Sequence, residues 1–406
     1  MHLSITNEVL LSVFIIAGIM GAVVYRTNFC TMGAVSDWVN MNDRGRFGAW
    51  LFAIVIAIVG VLLLEGIAGI GLGTSMPPLM PPYRTPNFSV LRYLVGGTLF
   101  GIGMTLGSGC AFRTIVRAGA GNLKSVVVLI TIGIFAYLMT QTSFYEKFFY
   151  GWVSATTIHL SAHGISSQAL GPLVSGILHV GNGATLEYWI GGILALALLV
   201  TILRWSDFRT RFDNILAGAV VGLAVVAAWY VTAGPMGHAW KEAVVFMDNP
   251  TRDVMTQSFT FVNPTGETLA YLMSPRNVAL ITFGVVSLVG VLVGSLVYSV
   301  LTRNFRIEWF RSVRDFIRHV TGGALMGIGG VLAMGCTIGQ GVTGFSTLAL
   351  GSILAFISFV FGSALTMKVE YYKMVYEQEA SYFDALVCAL ADLHLLPKRL
   401  RKFDPV

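Results

Sequence analysis

Long apolar runs, repeated along the whole chain, constrain this sequence more than any other feature. Leu51–Leu64, Val126–Met139 and Val278–Val300 are nearly free of ionised side chains. A helix that crosses a bilayer needs roughly 20 mostly apolar residues, and such runs recur. Only 11% of the 406 residues are charged, against about 25% in ordinary soluble domains. The pattern argues against a cytosolic enzyme and predicts an all-α membrane protein. The formal charge of +6 does not argue for nucleic acid, because basic side chains beside apolar spans are what cytoplasmic loops carry. The apolar start lacks a basic leader and a small-residue cleavage site, so it reads as a retained span.

Hydropathy predicts nine transmembrane helices, at 7–25, 48–70, 92–108, 124–142, 186–203, 214–232, 277–301, 319–335 and 346–367. Four short Gly-rich segments, 29–38, 109–122, 256–273 and 336–345, are too brief to cross and are expected to be re-entrant helices. If the N-terminus is periplasmic and the C-terminus cytoplasmic, 20 of the 26 Lys and Arg residues face the cytoplasm. That bias is the one that orients membrane proteins.

A repeat is visible. Residues 92–110 read RYLVGGTLFGIGMTLGSGC and residues 318–336 read RHVTGGALMGIGGVLAMGC, identical at 10 of 19 positions without a gap. The copies belong to the third and eighth spans. Five spans separate their starts, so they run in opposite directions. The expected architecture is two inverted-topology repeats, as in many secondary transporters. Residues 1–142 form the first repeat and 214–367 the second. Residues 143–213 supply an extracellular segment and connecting span, and 368–406 a cytoplasmic tail. The re-entrant segments 29–38 and 256–273 are equivalent in this scheme, and the second copy lacks the cysteine.

Three of the four cysteines sit where a span breaks. Cys30 precedes Thr31-Met32-Gly33, Cys110 follows Gly109, and Cys336 follows Gly335. Irregular backbone at membrane depth is tolerated where it is buried in protein or lines a polar cavity. A short helix beginning after each cysteine would aim free N–H groups and a positive dipole end at that spot, which suits an anion. A neutral thiol is a weak donor with a polarisable sulfur. Three of them at staggered depth suggest a relay for a sulfur-bearing anion. The competing reading of each cysteine is a small buried hydrophobe, and that reading is preferred for Cys388 in the tail.

The NFC, GSGCAFR and AMGCTIGQGVTG segments resemble those of the YeeE/YedE family of membrane sulfur-compound transporters. The resemblance spans most of the helices. It implies thiosulfate uptake across a bacterial inner membrane, with Cys30, Cys110 and Cys336 guiding the ion through hydrogen bonds and without cofactor, metal or chemical change. It also implies a cytoplasmic sulfurtransferase-like partner. Other sulfur or selenium species are alternative cargoes. A membrane thiol–disulfide oxidoreductase is the alternative from another class, and a passive pore for neutral solutes is a further one. The segments 143–185 and 233–260 look longer than the family's.

Other residues carry two readings each. Arg113 and Arg117 follow Cys110 and either attract an anion or anchor the cytoplasmic side. Gln340 either donates to an oxyanion or bonds across the helix break. His159 and His163, with His179 nearby, would share a helix face and could bind metal, although surface packing is preferred. Glu65, near the outer end of its span, is expected to be solvated or paired. The segment 303–310, rich in Arg and aromatics, is expected to be an interfacial helix.

Overall fold

The computed structural model describes residues 4–72, 82–245, 254–376 and 379–404. Helices dominate the described residues. The first group is α1 (Ile5–Thr27), α2 (Thr31–Met41), α3 (Gly45–Gly66), α4 (Val90–Leu106), α5 (Ala111–Gly119) and α6 (Leu123–Gln141). Next come α7 (Gly151–Ala155), α8 (Leu170–Leu178), α9 (Gly183–Leu203) and α10 (Ser206–Arg209). The last group is α11 (Phe212–Ala233), α12 (Pro235–Val245), α13 (Val262–Met273), α14 (Phe283–Leu301), α15 (Val313–Leu332), α16 (Leu350–Val375) and α17 (Tyr382–Asp392). Sequence-encoded caps mark several starts. Asn122 accepts from Ser125 N before α6, Thr282 from Val285 N before α14, and Ser312 from Asp315 N before α15, each satisfying an orphan amide of a first turn.

Among the described residues, eight helical stretches are long and apolar enough to cross a membrane, those containing α1, α3, α4, α6, α9, α11, α14 and α16. The protein is therefore a multi-pass membrane protein. The expected span 319–335 falls on the 20-residue helix α15, which is not among the eight, because Arg314, Asp315 and Arg318 in its first turns and its many glycines lower its apolarity. Side chains sort as a bilayer requires. On α1, Leu11, Ile15 and Ile19 are exposed in one stripe while Val9, Val13, Ala17, Met20 and Val24 are buried. Helix α9 exposes Trp189, Ile193 and Leu196 and lies at the periphery.

Helix α1 packs on α14 and α11 on α3; α4 packs on α16 and α15 on α6. At the centre α4 and α15 cross through glycines. A Cβ on Gly96 would stand 2.9 Å from Gly329 O and one on Gly329 2.6 Å from Gly96 O. Gly103 and Gly322 meet likewise, each Cβ 2.7 Å from the other's carbonyl. The two helices are thus antiparallel and in backbone contact, which only residues this small allow.

The segment 143–185 is ordered rather than a plain loop. Residues 158–159 pair antiparallel with 87–88, Asn87 opposite His159. Gln168 and Leu170 lie across Leu348 and Leu350, with Leu170 N donating to Leu348 O at 3.0 Å and Leu350 N to Gln168 O at 3.0 Å. Arg84 clamps this region. Its guanidinium donates to Glu65 at 2.6 and 3.1 Å, to Glu187 at 2.8 Å and to Thr347 O at 3.3 Å. Glu65 is accordingly paired, the reading the sequence favoured. Arg84→Met would leave two carboxylates facing each other, and removing one partner of a buried ion cluster costs about 3–5 kcal/mol. The thermal midpoint of detergent-solubilised protein is expected to fall sharply, and Arg84→Met with both glutamates changed to Gln to recover most of the loss.

Two local expectations are corrected. Residues 304–310 are extended rather than helical, because their backbone is recruited by the 120–123 loop: Arg306 N donates to Ala120 O at 3.3 Å and Glu308 O accepts from Leu123 N at 3.0 Å. His159 and His163 share no helix face. His159 lies in the short strand, with Nδ1 2.9 Å from Asn87 Oδ1, and His163 ends a 3-10 turn. In the tail, Cys388 is buried in a small core with Tyr372 and Ala385, as expected. Arg252, one of the six basic residues expected to face the periplasm, lies outside the described residues.

Candidate functional site

Each of the three cysteines stands at the same chain reversal. Asn28, Ser108 and Met334 have φ of 53°, 59° and 60°, the left-handed conformation that ends a helix. Two residues later comes the cysteine. Cys30 and Cys110 are extended, Cys336 lies outside any helix, and a short helix starts at Thr31, Ala111 or Thr337. After Cys336 that helix is a π-turn over Gly339–Gly344. The fourth short segment, 256–273, enters its helix α13 at Val262 behind the buried residues Ser258, Phe259 and Phe261.

The left-handed turn is costly for residues other than glycine, by about 1–2 kcal/mol. Ser108→Val is expected to lose about that much stability while Ser108→Gly, which relieves the turn, is at least as stable as wild type, as read from thermal unfolding in detergent. Equal behaviour of the two variants would mean the turn is not strained.

The reversals converge. The Cys30 and Cys110 thiols lie within hydrogen-bond reach of each other, and the Cys110 thiol also faces the Thr337 side chain. Cys336 Sγ accepts from Gly339 N at 3.4 Å and lies beside the Thr260 side chain and the Phe261 backbone. Phe112 stacks on Phe261 with centroids 4.7 Å apart, and Phe29 on Trp50 at 4.5 Å. All three sulfurs are buried, at 6%, 1% and 0% exposure for Cys30, Cys110 and Cys336.

Four buried polar groups around them have no hydrogen-bond partner among the described residues: the hydroxyls of Thr31, Thr260 and Thr337 and the Trp50 indole N–H. Buried polar groups are nearly always bonded, so each orphan calls for an explanation. These four sit beside or next in sequence to the cysteine segments.

Positive charge gathers at one end. Arg113 donates to Val24 O at 3.1 Å and to Asn28 Oδ1 at 2.6 Å, so it staples α5 to the reversal ahead of Cys30. Arg46 pairs with buried Asp37 on α2, and both Arg113 and Arg46 act electrostatically on Cys30. Arg117 donates to Ser108 O at 3.0 Å. Arg113 and Arg117 line a cavity of about 500 Å³ with Arg26, Arg306 and Asn122. A second cavity, of about 510 Å³, is lined by Tyr83, Thr260, Glu267, Met334 and Gln141. Asn122 and Gln141 bracket α6, whose 19 residues span about 28 Å at ~1.5 Å per residue. The cavities therefore open at opposite ends of the bundle, with the thiols between them.

Gln340 is buried, and both ends of its amide are engaged. Nε2 donates to Ala333 O at 2.6 Å and Oε1 accepts from Ser352 Oγ at 2.5 Å. Of its two readings, the bond across the break accounts for these contacts. Sequence reasoning missed Arg46, Asp37, Thr260, Tyr83 and Trp50. Asp37 within an apolar segment was the one available signal; the others reach the site only through the fold.

Two known proteins are similar over most of the chain. Over 338 residues, 82% of this chain and 87% of the relative, the sequence is 26% identical to the thiosulfate transporter TsuA of Escherichia coli (strain K12). Over 356 residues, 85% of this chain and 94% of the relative, it is 24% identical to the thiosulfate transporter TsuA of Spirochaeta thermophila. Residues 26–365, which carry all three reversals, match the family described as Sulphur transport, and the chain belongs to that family.

Proposed function

We propose that the protein carries thiosulfate, or a closely related small sulfur anion, across the bacterial inner membrane along Cys30, Cys110 and Cys336. One observation carries the reading: three like-built reversals bring their thiols together between polar cavities at opposite ends of the bundle. The two relatives' names support the choice of cargo.

The frame is nine spans and four re-entrant segments in two inverted repeats, with the N-terminus periplasmic. Reciprocal glycine contacts between α4 and α15, and the exchanged partnerships of α1 with α14 and α11 with α3, support the pseudo-twofold. The anion enters the cavity at Tyr83 and Thr260, passes Cys336, reaches Cys110 beside Thr337, and leaves past Cys30 into the arginine-lined cavity. Thiols, orphan hydroxyls and the Trp50 N–H replace its water by weak donors, so no site holds it tightly. Arg113 and Arg46 supply the attraction toward the cytoplasmic end, and Gln340 holds the break after Cys336 in shape. The thiols are buried, so passage requires the short helices to shift. A cytoplasmic sulfurtransferase-like protein would collect the anion at the arginine-lined mouth.

The test is uptake of radiolabelled thiosulfate into proteoliposomes of the purified protein. Uptake above protein-free vesicles, competed by unlabelled thiosulfate, is expected; its absence would end the proposal. A second reading, a membrane thiol–disulfide oxidoreductase, draws on the contact between Cys30 and Cys110. Mass spectrometry under non-reducing conditions separates the two, because a stable bridge between these cysteines favours the enzyme.

A further inference from the structure

Glu267 is a carboxylate in the wall of an anion's entrance. It lies on α13, half-buried, and lines the 510 Å³ cavity that reaches Thr260 beside Cys336. Its carboxylate accepts from the Thr282 hydroxyl, which donates to Oε2 at 2.5 Å while accepting from Val285 N at 3.2 Å. Through Thr282 the carboxylate is tied to the first turn of α14, whose positive end an incoming anion would otherwise use.

No cation answers it among the described residues. The elements packed on α13 are α6, α14, α15 and the turn Val278–Leu280. On α6 the charged residue is Lys124, at the far end and bonded to Asp315; Tyr137 is the titratable group near α13. On α14 it is Tyr298, which lines the opposite cavity. On α15 the titratable groups are Arg314, Asp315, Arg318 and His319, all in its first two turns. The Val278–Leu280 turn has none, and Tyr271 is on α13 itself. Around the cavity, Tyr83 is the other titratable lining residue, and Lys241 stands behind the wall, donating to Thr256 at 2.6 Å. An ionisable residue set in a membrane protein without a partner is a functional residue by default.

We propose that Glu267 is a proton-operated filter at the entrance. The inference rests on the anion-transport reading above. Ionised, Glu267 holds the positive end of α14 and repels an approaching dianion. When it takes a proton from the outer solution, it carries one O–H donor and admits the anion. The proton stays on Glu267 or returns to the same solution, so no oxidant, reductant or second ion is required.

The experiment compares wild type, Glu267→Gln and Glu267→Asp in proteoliposomes, measuring initial thiosulfate uptake at outer pH from about 5.5 to 8 with inner pH constant. Thiosulfate remains a dianion throughout, so the cargo contributes no titration. Wild type is expected to slow several-fold as pH rises. Glu267→Gln, a neutral donor of similar shape, is expected to be flat and to match the acid-side wild-type rate at pH 8. Glu267→Asp is expected to keep the dependence. A wild-type profile without slope, or a Glu267→Gln profile as steep as wild type, would overturn the filter while leaving the transport reading intact. If wild type moved no thiosulfate, the transport reading would fail instead. The filter is then read from the tryptophan fluorescence of the cavity, where Trp229 and Trp240 line the wall. A pH transition present in wild type and absent in Glu267→Gln supports it, and identical titrations overturn it.

Discussion

Cys110→Ala is expected to slow thiosulfate uptake by about tenfold to hundredfold, with the protein still inserted and folded. The side chain lies beside Cys30 and faces Thr337, so it stands between the Cys30 reversal and the one at Cys336. Losing a donor from a buried polar site costs about 1–3 kcal/mol, and each ~1.4 kcal/mol on a barrier is about a factor of ten. Alanine fits the space, so packing alone predicts little change. Cys110→Ser keeps a donor but replaces a soft, polarisable sulfur by a small hard oxygen, and about tenfold loss is expected there too. The measurement is radiolabelled uptake normalised to purified protein, alongside growth with thiosulfate as sole sulfur source. Unchanged uptake in both variants would mean that the thiols are core packing and the anion travels elsewhere, as a passive pore would have it.

Gly103→Val should be strongly destabilising at the bundle centre. Its Cβ would stand 2.7 Å from Gly322 O and 2.8 Å from Met326 N. Both are helix backbone, which cannot swing aside, so α4 and α15 must separate. Overpacking of a tight core costs about 1–3 kcal/mol even where side chains can yield, and here about 3 kcal/mol or more is expected. The outcome should be little monodisperse protein on size exclusion in detergent. Gly192 is the control. A Cβ there meets nothing within 4 Å, so Gly192→Ala should be neutral or gain about 0.5–1 kcal/mol from helix propensity. If Gly103→Val behaved like Gly192→Ala, the close crossing would be wrong, and with it the symmetry that aligns the reversals.

The two variants test different layers of one arrangement. Gly103 acts on how the repeated helices meet, and Cys110 on what the meeting presents to an anion. A Cys110 variant that fails only in transport, beside a Gly103 variant that fails in folding, is the expected contrast.

Much of this was legible in the chain itself. Apolar runs specify helices because a bilayer leaves backbone groups no partner but their own helix, so span positions follow from local composition. The segments 92–110 and 318–336, alike in sequence, both end at a helix break, and the small residues before Cys110 and Cys336 marked those breaks. Charge defeated composition at α15, whose Arg314, Asp315 and Arg318 start the helix six residues before the span expected at 319–335. Local pattern failed at 304–310, where an aromatic and basic segment stays extended because the 120–123 loop takes its backbone bonds.

What the sequence by itself determined, then, is the membrane class, the helices and the three cysteine-bearing breaks, since each depends on residues close together along the chain. Only the tertiary structure decided that Cys30 lies beside Cys110, that Cys110 faces Thr337, and that Glu267 lines a cavity wall with no cation partner among the described residues. Those relations join residues tens to hundreds of positions apart. They arise because antiparallel glycine-lined helices bring the two halves into backbone contact, a distance that no local pattern encodes.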